Sequence, residues 1–252
     1  MYNHQMKYFL ILLLIANNNV FASEIDNFQF MTEEFPPYNY QENNQPKGSS
    51  VETFKLLLIK LKAKKNISTL TFWPWARSYT SLQSKPNHLL FAVTKTKNRE
   101  NLFKWVGPIS KSSNVLIGKK YLQIKTNPIS HLSNYRYCVV REDAGGQLLK
   151  EKFQIPSNMI YEASDPATCI HLLKNNRADL FAYDENVTHW LMIKNHENPK
   201  DFNSKMIISE SEHYIAFSKE TSDELIKKFQ DALNAVKKDP EYRKIKQKYF
   251  KK

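Results

Sequence analysis

The chain runs to 252 residues, 41% hydrophobic and 13% aromatic, with 37 Lys and Arg against 25 Asp and Glu for a formal charge of +12. That length suits one large domain or two small ones with a real core. It has five glycines and two cysteines and no phosphate-cradling glycine loop, Cys-x-x-Cys, His-Glu-x-x-His or Gly-x-Ser-x-Gly. No local signature therefore supports a dehydrogenase, kinase, metalloenzyme or serine hydrolase, and no cofactor or metal is implied.

Residues 1–22 read as a secretory signal peptide: Lys7, an apolar run over residues 8–16, then Val20-Phe21-Ala22 before Ser23, with cleavage expected after Ala22. The run falls short of the ~20 residues a membrane span needs. No later stretch is apolar enough to span, so an exported, soluble mature chain is expected. Removing Lys7 leaves it at 12 − 1 = +11. The lysine clusters "KLKAKK" and "KIKQKYFKK" read as solvated helix faces, and nothing matches a nucleic-acid-binding motif.

Downstream, strands and helices alternate. "NFQFMTE" predicts a strand, followed by a Pro-rich turn. Residues 49–66 predict a helix with Val51, Phe54, Leu57, Leu58 and Leu61 on one face and Ser49/Glu52 as a capping box. "STLTFWPW" predicts a strand, residues 76–85 a short helix, and "HLLFAVT" a strand. In the second half, "YRYCVVRE" predicts a strand and "DAGGQLLKEK" a helix. "NMIYEA" is a strand, and Asp165-Pro166 caps the helix "ATCIHLLKNN". "ADLFAYD" is a strand and residues 185–195 a helix. A long strand over 206–219 precedes helices over 222–238, with Thr221 and Glu224 as a capping box, and over 240–250 after Asp239. The alternation implies an α/β fold. Cys138 in a strand and Cys169 in a helix can reach bridging distance when the two elements pack. In an oxidising compartment the expected state is a disulfide, with two buried free thiols as the alternative.

In open α/β sheets, ligands bind beyond the carboxyl ends of strands. Thr94, Thr96 and Arg99 follow one such end; Arg141, Glu142 and Asp143 follow another; Asp184 follows a third. An arginine and a carboxylate from two halves of a chain could grip the ends of a zwitterion, since the arginine fork bonds a carboxylate bidentately. Taken singly, each reads first as a surface ion pair.

Four segments in order carry a resemblance. "MTEEFPPYNY" is similar to the opening strand and aromatic loop of the amino-acid-type periplasmic solute-binding proteins, family 3 of the ABC-transporter receptors. "TKNRENLFKWVGPI" resembles their T-x-x-R-x-x-x-F-x-x-x-x-P signature, and "NNRADLFAYDENV" their G-R-x-D-x-x-x-x-D element. "HYIAFSKETSDELIKKFQDALNAVKKDPEYRKIKQKYF" matches their closing segment. The resemblance covers nearly the whole mature chain. It implies a ligand α-carboxylate on Arg99, a hydroxyl or backbone contact at Thr94, and the ligand α-amino group on Asp184. It also implies an aromatic cover from Tyr38 or Tyr40, and help for the carboxylate from the helix start at residues 143–145, Asp143 and Ala144 included. Lys95, the acidic Glu142-Asp143-Ala144 loop and Asn176 depart from the family pattern. The acidic loop should weaken carboxylate binding and favour a ligand with extra positive charge. In "FWPWARSY", Trp75 and Arg77 line the cleft or serve as core and surface residues.

The resemblance thus implies a two-lobed α/β fold with two hinge crossings, near residues 110–114 and 207–212. Residues 23–111 and 209–252 form one lobe and 112–208 the other. A monomer in the periplasm would close on a small solute and deliver it to an inner-membrane ABC permease. The alternatives are a sensory receptor as partner, a dehydratase-like enzyme on the same scaffold, or a polyanion or envelope partner for the positive charge.

Overall fold

The computed structural model describes residues 24–250, so the expected signal peptide lies outside the described residues. The strands are β1 (Gln29–Thr32), β2 (Tyr40–Glu42), β3 (Gln45–Lys47), β4 (Thr71–Phe72), β5 (His88–Thr94), β6 (Lys104–Lys119), β7 (Tyr137–Val140), β8 (Ile160–Ala163), β9 (Leu180–Asp184) and β10 (Phe202–Phe217). The helices are α1 (Ser49–Lys60), α2 (Trp75–Ser84), α3 (Ala144–Glu151), α4 (Pro166–Lys174), α5 (Glu185–Lys194), α6 (Asp223–Lys238) and α7 (Pro240–Phe250). Eight strands join in the order β4-β1-β5-β10-β6-β9-β7-β8, and β2 and β3 form a separate hairpin.

The sheet has two parallel wings. β1 pairs parallel with β4 and β5, and β7 with β8 and β9. Two long antiparallel strands, β6 and β10, connect them, paired from Lys104 opposite Phe217 to Lys119 opposite Phe202 with register shifts at three places. β5 attaches to residues 213–217 of β10, and β9 to residues 114–118 of β6. Between those attachments the long pair carries the chain from one wing to the other, through Ser110 opposite His213 and Asn114 opposite Ser209. Strands buried on both faces read as continuous apolar runs, as β5 and β9 do.

Several local expectations shift. α1 stops at Lys60, because Lys62 turns left-handed (φ 56°) and Ala63 N–H folds back onto the Leu58 carbonyl. Gly48, not Ser49, is its N-cap, and no side chain caps it. Glu52 instead accepts from Lys248 and Tyr249. Only Thr71–Phe72 of the expected strand pairs, since Pro74 starts α2 at Trp75. Ser222 rather than Thr221 caps α6, accepting from Leu225 N–H. Asp165 caps α4 as expected, accepting from Thr168 N–H at 2.9 Å. Asn176 stands at φ 55° just past α4, a left-handed position that glycine or asparagine fills at low cost. Cys138 of β7 and Cys169 of α4 form a disulfide, with Cα atoms 5.4 Å apart.

Candidate functional site

The carboxyl ends of β1, β5, β7 and β9 deliver Glu33, Thr94 with Arg99, Glu142 with Asp143, and Asp184. Arg99 is 1% exposed. Its Nη1 donates to the Thr94 carbonyl at 3.2 Å and its Nη2 to the Glu142 carbonyl at 2.6 Å, so one side chain ties the two wings together. The rings of Trp75 and Tyr79 lie 5.0 and 5.1 Å from its guanidinium carbon. Nε has no partner among the described residues. Burial lowers the Arg99 pKa, opposed mainly by the charge of Asp143.

Asp143 is the N-cap of α3, its Oδ2 accepting from Gly145 N–H at 3.0 Å. Gly145 lets this helix start press against β9: a Cβ there would sit 2.3 Å from the Ala182 carbonyl oxygen. Burial raises the Asp143 pKa, against the lowering effect of Arg99 and the helix N–H groups. Glu142 reaches its position at φ 61°. Glu33 is buried too, and burial, with the Asp143 charge beside it, holds its pKa well above the ordinary carboxylate value.

Glu33 opens onto a cavity of about 330 Å³ between the wings. Glu34, Phe72, Trp73 and Trp75 line it on one side, Val140 and Asp165 on the other. Three larger cavities, of about 620, 530 and 500 Å³, are not lined by Glu33, and Arg99 lines none of the four. Among the described residues no group of His, Cys, Asp and Glu is arranged to hold a metal.

Asp184 belongs to a second cluster. It caps α5 through Val187 N–H at 3.1 Å and accepts from Ser112 Oγ at 3.2 Å. Burial, the largest cause, pushes its pKa from 3.8 up to about 7. Its charge helps raise the pKa of Tyr38, after burial. The Tyr38 hydroxyl donates to the Lys111 carbonyl and accepts from Asn186, both at 3.1 Å. Tyr183, its hydroxyl unpartnered among the described residues, lies in the field of Glu33, Asp143 and Asp184 and so joins the two clusters.

The expected residues therefore divide. Thr94, Arg99, Asp143 and Ala144 come together, while Asp184 and Tyr38 form the neighbouring group. Tyr40 packs at a tilt against Trp190, ring centroids 5.3 Å apart, and does not line the cavity. Arg77 is exposed, its guanidinium 4.0 Å from the Trp73 ring, and does not line the cavity. Trp75 is both core and wall: 3% exposed, on the cavity, and against Arg99. Lys95 pairs with Glu100 at 3.4 Å, which accommodates a cation at this strand end. Glu33, Tyr79, Ser112, Asn186 and Tyr183 were not expected at the site. Only Glu33 carried a signal, as the first of an acidic pair at the end of a predicted strand.

The sequence model of the bacterial extracellular solute-binding proteins, family 3, matches residues 30–252. No curated protein sequence matches the chain. Among solved structures, it is similar to the arginine-, lysine-, histidine-binding protein ArtJ of Geobacillus stearothermophilus. That match has a TM-score of 0.73 at 20% identity, over 90% of this chain and 96% of that one. It is also similar to a substrate-binding protein of an ABC uptake transporter from Streptococcus pneumoniae with bound histidine, at TM-score 0.78, 16% identity, and 93% and 96% coverage. A histidine kinase sensor domain with similarity to periplasmic binding proteins matches at TM-score 0.76 and 15% identity, over 90% of this chain and 98% of that domain.

Proposed function

We propose that this protein, which belongs to the bacterial extracellular solute-binding proteins, family 3, is an exported receptor that captures a small organic cation between two closing lobes. The observation that carries the reading is the interlobe cavity, where Glu33, Glu34 and Asp165 face the rings of Trp73 and Trp75. Carboxylates and aromatic faces together attract a cation, and 330 Å³ suits a small solute.

Residues 23–111 and 209–252 form one lobe in this reading and 112–208 the other, with the hinge at 110–114 and 207–212. A ligand touching both lobes binds the closed form better and shifts the population toward it. Capture of this kind involves no covalent step. Arg99 and Thr94 then act from the first lobe, and the Asp143 loop and Asp184 from the second. The arginine-, lysine- and histidine-binding proteins among the similar structures support a cationic solute. Delivery to an ABC permease is the usual role of the fold, and the sensor-domain likeness supports signalling as the second reading. A permease or a sensor-kinase gene beside this one separates the two.

A thermal-shift panel of amino acids, amines, small peptides and organic acids tests the capture. A cation at a hundred times its Kd should stabilise the fold by about 2.7 kcal/mol. Stabilisation by organic acids alone would sink the reading.

A further inference from the structure

Resting on that cationic-solute reading, we propose that the ligand of this cleft is an amine or guanidine carrying no carboxylate, because the chain fills the carboxylate seat itself. Arginine recognises a free carboxylate best through two parallel N–H donors. Arg99 has both terminal nitrogens on carbonyls, those of Thr94 and Glu142, and rings close by at Trp75 and Tyr79. Only Nε is left without a partner among the described residues. The other seat for an anion is the start of α3. Asp143 occupies it with its own carboxylate on Gly145 N–H, and its charge is the main acidic one that Arg99 meets. A ligand carboxylate here would have to displace Asp143 or lie beside it.

What the cleft offers a ligand points the same way. Three carboxylates and no basic residue line the cavity. Glu33 is 8% exposed, no hydrogen bond or salt bridge reaches its carboxylate among the described residues, and Arg99, already committed to two carbonyls, is the cation whose charge acts on it. A buried acid on a cavity wall with no hydrogen bond to its carboxylate is completed by a cation. Trp75 adds a second unpartnered group, its Nε1–H, which a hydroxyl or carbonyl on the same cation can accept. The cleft therefore supplies acids, aromatic faces and one N–H donor, and spends its one arginine on the chain's own groups.

Titration calorimetry on the purified protein tests this with two pairs of probes differing only by a carboxylate, agmatine against arginine and cadaverine against lysine. The decarboxylated member of each pair should bind at least tenfold tighter. Asp143→Ser keeps a capping hydroxyl for α3 and should narrow that ratio at least tenfold, by improving arginine and lysine. Arginine or lysine binding as tightly as its amine overturns the inference and leaves the cationic-solute reading standing. Silence toward all four probes overturns both. If Asp143→Ser does not fold, the wild-type ratios decide.

Discussion

Asp184 reached the structure as an expected amino-group ligand, and it stands there as a buried cap whose acidity is itself measurable. Its carboxyl is raised from 3.8 to about 7, burial first among the causes. Between those values the folded state keeps a proton that the unfolded chain has released. Its stabilising contribution is therefore full below about pH 4 and is lost as pH rises through about 7. Denaturant melts across that range should show the wild type losing stability relative to Asp184→Asn, by at most about 1.4 kcal/mol per pH unit. Equal slopes would mean that the carboxyl titrates normally. Glu142 offers a second residue-scale test. It holds a left-handed conformation at φ 61° while its carbonyl serves Arg99. That conformation costs a non-glycine residue roughly 1–2 kcal/mol. Glu142→Gly keeps the carbonyl and should raise stability by up to about 1 kcal/mol once glycine's greater unfolded freedom is deducted. A destabilised variant would show that the Glu142 side chain contributes more than its backbone strain costs.

At the scale of elements, the second wing is stapled where its parallel strands are short. β7 and β8 have four residues each, and the Cys138–Cys169 bridge fastens β7 to α4 across a sequence separation of 31. A loop of that size is stabilised by roughly 3–4 kcal/mol in the chain-entropy account. The Cys138→Ala, Cys169→Ala double variant should lose about that much in urea unfolding, and the same loss should appear in wild type under reductant. An unchanged midpoint in reductant would show that packing of α4 on β7 suffices. The helix caps teach a narrower lesson. A capping box is a pattern of residue types three apart, and both boxes expected here miss by one position, at Gly48 and Ser222. The cap is set by where the chain leaves the neighbouring strand, which local spacing does not encode. Asp165 was placed correctly because Pro166 fixes the first helical position.

For the whole molecule, the wings meet through a few polar contacts: Arg99 with Glu142, Thr96 with Gln147, Asn98 with Glu151, and Tyr38 with Asn186. Arg99 is the buried one and crosses with a charged donor, so it dominates this set. Arg99→Ala should loosen the unliganded protein and raise its radius of gyration in small-angle scattering. Identical profiles would assign the closure to the remaining contacts. The positive charge is carried outside this region, on exposed lysines, whereas Glu33 and Asp143 gather around one arginine, with Asp184 in the neighbouring cluster. Net charge and the charge of this cluster thus have opposite signs, so composition alone does not describe the site.

The sequence by itself determined the α/β alternation, the apolar strands, the disulfide partners and the family. It also brought Thr94, Arg99 and Asp143 to strand ends, because periodicity, turn residues and motif order are local properties of the chain. Only the tertiary structure decided what those groups face. Arg99 turns out to hold a carbonyl from the opposite wing, Asp143 its own helix, and Tyr40 a tryptophan 150 residues away in sequence. Glu33 becomes a buried acid on a cavity wall only when β1 and β7 are brought to the same side. Burial and the field of distant charges govern what an ionisable group does, and both arise when remote segments meet.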